Sequence, residues 1–182
     1  MSSGDGISID DTVVRLLGGQ PEAGFDCGHD EQNRFLYERA WDDQKERVST
    51  TYLYHVNGML AGYATVCMDS LPLSTRERAL RIRYREVAAL KLAQLGVDLR
   101  FQGRGLGTLI VAYVVELARE LSARVGCRYV TLDAHPEVAE WYEEALGFKR
   151  NKLRQKLRLQ EAAGKRDLST VAISMRFDIR EP

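Results

Sequence analysis

Between Leu95 and Ala118 the chain reads LGVDLRFQGRGLGTLIVAYVVELA, with Gly103, Gly105 and Gly107 crowded between an apolar run and a periodic one. Leu106, Leu109, Ile110, Tyr113, Val114, Leu117 and Leu121 keep the i, i+3, i+4, i+7 spacing of one helical face, which predicts a helix over 106–121. The segment before it, AALKLAQLGVD from Ala88 to Asp98, is apolar apart from Lys91, Gln94 and the closing Asp98 and reads as a central strand. A glycine turn that joins a strand to a helix lets backbone N–H groups approach an anion at the positive end of the helix dipole.

The flanking sequence supplies a mixed set of strands and helices. A first strand is expected at Thr12–Leu17 and a helix over Asp30–Arg47, with Phe35, Leu36, Ala40 and Trp41 on one face. Asn57-Gly58 stands between TTYLYHV and MLAGYATVC, and this dipeptide marks a tight hairpin because both turn positions need positive φ. Ser70–Glu86 is a polar excursion of open structure. A strand follows at Cys127–Ala134, and a helix opens at Pro136 and closes at Gly147. Val171, Ile173, Met175, Phe177 and Ile179 then alternate with polar or small residues as a half-buried final strand. With 182 residues, 45% of them hydrophobic, the chain suits a single α/β domain over 7–180.

Several classes are set aside. No apolar run reaches the roughly 20 residues of a membrane helix, and MSSGDGISIDD lacks the basic and apolar regions of a signal peptide, so a cytoplasmic protein without membrane contact is expected. Cys27, Cys67 and Cys127 lie far apart and outside CxxC spacing, so neither a disulfide framework nor a metal site is expected. Lys plus Arg and Asp plus Glu number 26 each, which excludes a globally basic nucleic-acid binder. Locally, KRNKLRQKLR carries Lys149, Arg150, Lys152, Arg154, Lys156 and Arg158 without an acid, and Arg76, Arg78, Arg81, Arg83 and Arg85 face only Glu77 within their own segment. An electrically lopsided surface is the expectation, beside the plainer reading of a solvated face.

Two phosphate-loop patterns fail on the glycine turn. A Walker loop needs a lysine that does not follow here, and a GxGxxG read from Gly103 meets Thr108, or from Gly105 meets Ile110. What stands is QGRGLG, Gln102, Gly103, Arg104, Gly105, Leu106 and Gly107, whose amides can wrap a pyrophosphate with Arg100 and Arg104 as added cations. The bland alternative is a tight turn with no ligand.

QGRGLG, with the strand before it, the helix behind it and WYEEALGF (Trp141–Phe148) downstream, resembles the GCN5-related N-acetyltransferase (GNAT) superfamily from about Val13 to Ile179. The resemblance implies a mixed, mostly antiparallel sheet of six to seven strands with about four helices on both faces. It implies acetyl-CoA as cosubstrate, with its pyrophosphate on 102–107 and its pantetheine arm paired like an added strand to the backbone of Leu95 and Val97. Gly96 between them would mark a bulge. An amine then attacks the thioester directly, and a tyrosine donates a proton to the leaving thiolate. Tyr142 is the matching residue, although it stands five residues before Gly147 where the family most often has four. The alternative for Tyr142 is packing beside Trp141.

A general base is harder to find. Asp133 and His135 are the candidates, His135 having the plain alternative of a residue that starts a helix. Without a base, an α-amine of pKa about 8 suits the reaction better than a lysine of about 10.4. FDCGHDEQNRFLYERA (Phe25–Ala40) is similar to the FxCG...LxxFL opening of acetyltransferase toxins of toxin-antitoxin pairs, with Asn33, Phe35 and Leu36 fitting. That likeness implies aminoacyl-tRNA as acceptor and an antitoxin as partner, and the superfamily adds a homodimer. Three functions stay open: an acetyltransferase of small amines or peptides, a tRNA-modifying toxin, and a non-catalytic CoA- or RNA-binding module.

Overall fold

The computed structural model describes residues 6–80, 82–161 and 171–181. In chain order it contains β1 (Thr12–Leu16), α1 (Asp30–Glu38), α2 (Ala40–Lys45), β2 (Thr50–Val56), β3 (Met59–Pro72), α3 (Thr75–Leu80) and β4 (Glu86–Val97). After a 3-10 turn at Leu99–Phe101 come α4 (Leu106–Ser122), β5 (Tyr129–Ala134), a second 3-10 turn at Pro136–Val138, α5 (Ala139–Glu144), β6 (Lys149–Arg150), α6 (Lys152–Glu161) and β7 (Ile173–Asp178). The strands form one seven-stranded sheet in the order β1-β2-β3-β4-β5-β7-β6. The pairs β1–β2, β2–β3, β5–β7 and β6–β7 are antiparallel. This is the mixed, mostly antiparallel architecture expected, with six α-helices among the described residues rather than about four. Arg81 and residues 162–170 lie outside the described residues.

The chain divides into two compact units. One takes the residues up to Cys67 with Leu92–Val114, the other Met68–Lys91 with Val115 onward. In the first unit the Asn57-Gly58 hairpin forms as expected, with φ of 51° and 77°, and a register shift at Tyr54/His55 bends β2. Leu17, Phe25, Cys27, Leu36, Ala40, Leu53, Leu60 and Tyr63 make one buried cluster there. The helix expected over Asp30–Arg47 is two helices broken at Arg39, where φ and ψ are −125° and −35°. No proline or glycine marks the break, so apolar spacing alone reads straight through it.

Gly96 has a steric reason. A Cβ there would sit 2.5 Å from the Tyr63 ring and 3.1 Å from Phe25, so this glycine lets two rings close over β4. Gly62 works likewise beneath α4, where a Cβ would meet Ile110 at 2.8 Å. Leu106, Ile110, Val111 and Val114 of α4 are essentially inaccessible, and burying each contributes about 1.5–3 kcal/mol. In the second unit Leu71, Leu73, Ala89 and Tyr129 form a separate cluster joined by Ile82 and Val87. The polar excursion Ser70–Glu86 thus carries buried anchors together with α3, which Ser74 caps through its bond with Glu77.

Candidate functional site

In the first unit the glycine turn is assembled on Asp98, which is 1% exposed. Its Oδ1 accepts from the Arg100 amide at 2.9 Å and from Arg100 Nε at 2.7 Å. Its Oδ2 accepts from Arg100 Nη2 at 2.9 Å and from the Asp26 amide at 3.1 Å. Burial pushes the Asp98 carboxyl up, and these four hydrogen bonds outweigh it and hold it below the usual carboxylate value. Asp98 caps the 3-10 turn, and Phe101 beneath it is buried.

The turn then opens outward. Gly103 and Gly105 take φ of 70° and 84°, values that a residue with a side chain adopts only with strain, and a Cβ on either would meet no atom within 4 Å. The first bond into α4 runs from Leu109 N–H to the Gly105 carbonyl. Among the described residues no backbone acceptor faces the amides of Gly103, Gly105, Leu106 and Gly107. Orphan amides at the start of a 17-residue helix, with open space above the glycines, fit an anionic diphosphate.

The cations are unequal. Arg104 lies 5.9 Å from the Phe101 ring with its carbonyl held by the Ile7 amide. Arg100, expected as an added phosphate cation, is instead engaged by Asp98 and reaches the Gly24 carbonyl, so it holds the turn together. Gln102 also turns inward to the backbone, its Nε2 donating to the Val97 carbonyl at 2.9 Å and the Cys27 carbonyl at 3.0 Å. Of the pantetheine-arm residues, Leu95 and Val97 are both half-buried, and the Val97 carbonyl already has Gln102 as its partner.

In the second unit Tyr142 sits on α5, 6% exposed, edge-on to Trp141 at 4.7 Å and to Phe148 at 5.6 Å. Burial alone raises its pKa, so the phenol stays protonated at neutral pH. The Tyr142 carbonyl also takes part in the turn where α5 ends. In a Schellman closure the Phe148 amide would bond to Glu143, five residues back, but here it reaches the Tyr142 carbonyl at 2.9 Å, six back, with Gly147 at φ 70°. The wider turn therefore ties the tyrosine backbone directly to the GF pair.

The two candidate bases stand in different surroundings. Lys91 at 2.7 Å and Arg158 at 2.6 Å both bond Asp133 Oδ2. Burial raises the Asp133 carboxyl, but the bonds from Arg158 and Lys91 prevail and leave it below its ordinary value, a poor base. His135 is 60% exposed, starts the 3-10 turn before Pro136 and stands 3.7 Å from Glu137. Its place matches the plain reading.

The acid-free run corrects the picture of a lopsided surface. Lys149 pairs with Glu181, Arg150 with Glu143, Arg154 with Asp69 and Arg158 with Asp133. Glu77, the acid among the 76–85 arginines, is bonded by Arg176 of β7. Among the described residues no carboxylate lies in ion-pair range of Lys152, Lys156, Arg76, Arg83 or Arg85. Lys152 and Lys156 border a groove of about 530 Å³ with Gln155 and Leu159. No group of three or more His, Cys, Asp or Glu among the described residues could hold a metal ion. No helix among them is long and apolar enough to cross a membrane.

Residues 16–148 match the acetyltransferase (GNAT) family. Solved structures share the fold at low identity. AtaT complexed with acetyl-methionyl-tRNAfMet is 21% identical with a TM-score of 0.73, over 93% of this chain and 96% of that one. A mutant of KacT is 20% identical with a TM-score of 0.74, over 93% and 96%. A mutant AtaT toxin bound to the C-terminus of the antitoxin AtaR and acetyl-CoA is 20% identical with a TM-score of 0.70, over 94% and 95%.

Proposed function

The chain belongs to the acetyltransferase (GNAT) family, and on that premise we propose that its acceptor is the α-amine of an aminoacyl-tRNA and that an antitoxin restrains it. It is an N-acetyltransferase that uses acetyl-CoA. Acetyl-CoA supplies an acyl group already activated as a thioester; the chain supplies binding, orientation and proton control. The amides from Gly103 to Gly107 hold the diphosphate at the α4 terminus, and Arg104 adds a cation. The remaining backbone of Leu95 and Val97 orients the pantetheine arm. As the C–N bond forms and the C–S bond breaks, Tyr142, kept protonated by burial, donates its phenolic proton to the departing sulfur, and the proton released by the acylated nitrogen passes through water, which restores the phenol.

The observation that carries the acceptor is the state of Asp133. Held by Lys91 and Arg158, its carboxyl lies below the usual carboxylate value, which makes it a weak acceptor for an ammonium proton and favours an amine that arrives neutral. An α-amine with a pKa of about 8 does so in useful fraction, and a lysine does not. The cations without ion pairs, Lys152, Lys156, Arg76, Arg83 and Arg85, with Tyr84 exposed among the last two, suit phosphates and an unstacked base. The tRNA complex known for AtaT supports the same acceptor, and the antitoxin complex of AtaT supports the partner. With that acceptor the protein works in the cytoplasm.

The test is incubation with labelled acetyl-CoA and, separately, charged tRNA, uncharged tRNA, free amino acids and a lysine-containing peptide. Label is expected on the charged tRNA, released with the amino acid by mild alkali. Equal labelling of free amines would replace this acceptor with a small-molecule one. Growth arrest on expression is the expected companion phenotype.

A further inference from the structure

The start of the toxin-like segment Phe25–Ala40 makes hydrogen bonds with the glycine turn. The Leu99 amide donates to the Asp26 carbonyl at 2.8 Å, the Asp26 amide to Asp98, and Gln102 Nε2 to the Cys27 carbonyl. Each bond ties residues 26–28 to residues 98–102. The segment is itself fixed from α1: Asn33 Nδ2 donates to Asp26 Oδ1 at 2.7 Å, and Asn33 Oδ1 accepts from the Cys27 amide at 3.0 Å and the Cys27 thiol at 3.1 Å. Asp26 Oδ1 also accepts from the Gly28 amide, and Gly28 turns the chain at φ 80°. Together with the Asn33 bond, that amide holds the Asp26 carboxyl below its usual value.

We infer that Asn33, Asp26 and the Gln102 side chain are positioning residues for the diphosphate-binding turn, so that the Phe25–Asn33 segment sets affinity for CoA rather than choice of acceptor. The inference rests on the acetyl-CoA reading above. Its physical basis is preorganisation: the amides of 103–107 favour an anion only while they converge, and a turn containing two positive-φ glycines has many other conformations open to it. Gln102 closes the ring of contacts by donating to two carbonyls, one on each segment. A donor is required there, because both partners are acceptors.

The experiment measures binding of free CoA by calorimetry, without acceptor, to the full chain and three variants. Gln102→Met keeps the length and removes the donor; loss of two hydrogen bonds raises the CoA Kd roughly five- to hundredfold. Gln102→Arg restores donors and returns the Kd to within about threefold of the parent. Asn33→Ala, away from the ligand, raises the Kd about tenfold. In turnover, KM for acetyl-CoA rises in the Met and Ala variants while kcat at saturation and KM for the acceptor hold. Circular dichroism of each variant without CoA is compared with that of the parent, so that a loss of fold is not read as a loss of affinity. Unchanged CoA affinity in the Met variant, or an Arg variant as weak as Met, overturns the inference. A rise in acceptor KM alone for Asn33→Ala also overturns it. No CoA binding by the parent protein would instead sink the acetyl-CoA reading itself.

Discussion

The glycine turn of the first unit and the basic helix α6 of the second are the two most conspicuous stretches of the sequence, and they behave in opposite ways. At the turn, the chemistry resides in the backbone: glycine permits the positive φ found at 103 and 105, and the helix behind sets where amides are left without partners. Along 149–158 the chemistry resides in long side chains, and four of six cations meet carboxylates outside the run. Arg154 joins Asp69 and the Ser70 carbonyl, and Thr131 completes the Asp69 shell at 2.6 Å. Backbone geometry is local and reads directly from residue types. Charge cancellation is a property of the folded neighbourhood, and counting along the chain misreports it.

The comparison breaks first at Gly105. Replacing it by Val imposes a β-branched residue on a φ of 84° and puts a side chain into open space above the amides. CoA affinity is expected to fall at least about a hundredfold, read by calorimetry, with the fold kept. Tyr142→Phe leaves the aromatic packing on Trp141 and Phe148 in place and removes the proton donor. The expected loss is about a hundredfold or more in kcat with CoA affinity unchanged. An unaffected kcat would assign Tyr142 to packing alone.

Cations of α6 sharpen the contrast. Arg154 and Asp69 have side chains 15% and 17% exposed, and Arg154→Met strands a partly buried carboxylate at a cost of about 2 kcal/mol, below that of a fully buried pair. Lys152→Met on the same helix should stay within about 0.5 kcal/mol by urea unfolding. It should nevertheless weaken tRNA binding and lower its salt slope by about one for each phosphate the lysine neutralises. If both substitutions gave equal destabilisation, the division into paired and unpaired cations would be wrong.

Acid titration should affect both regions. Asp98, Asp69 and Asp133 have folded-state pKa values below the unfolded value of 3.8. Their contribution is therefore complete above about pH 4 and is lost as pH falls through the lower folded values. The Tm is expected to be flat from neutral pH to about 5 and to drop below 4, with a smaller drop in an Asp98→Asn variant.

Elements defined by local rules are legible in advance. The Asn57-Gly58 hairpin, the α4 periodicity, the Pro136 start and Gly147 stop, and the alternation of β7 all lie where their residue types put them, within a few residues. The break at Arg39 and the helix α6 are not legible, because one carries no breaker and the other reads as a charge run. Asp98 is, in the sequence, a single acid at a strand end; only its four bonds, one of them from an amide 72 residues away, reveal that it holds the turn.

By itself the sequence determined the strand, the glycine turn and the helix that follows it, since φ preferences and helix termini depend on neighbours in the chain. Folding decided which charges remain unpaired, that Asp133 is held by Lys91 and Arg158, and that residues 26 and 27 bond to Asp98 and Gln102 of the glycine turn. Those outcomes depend on encounters between residues dozens of positions apart, and side-chain type alone does not say which partner a carboxylate will meet.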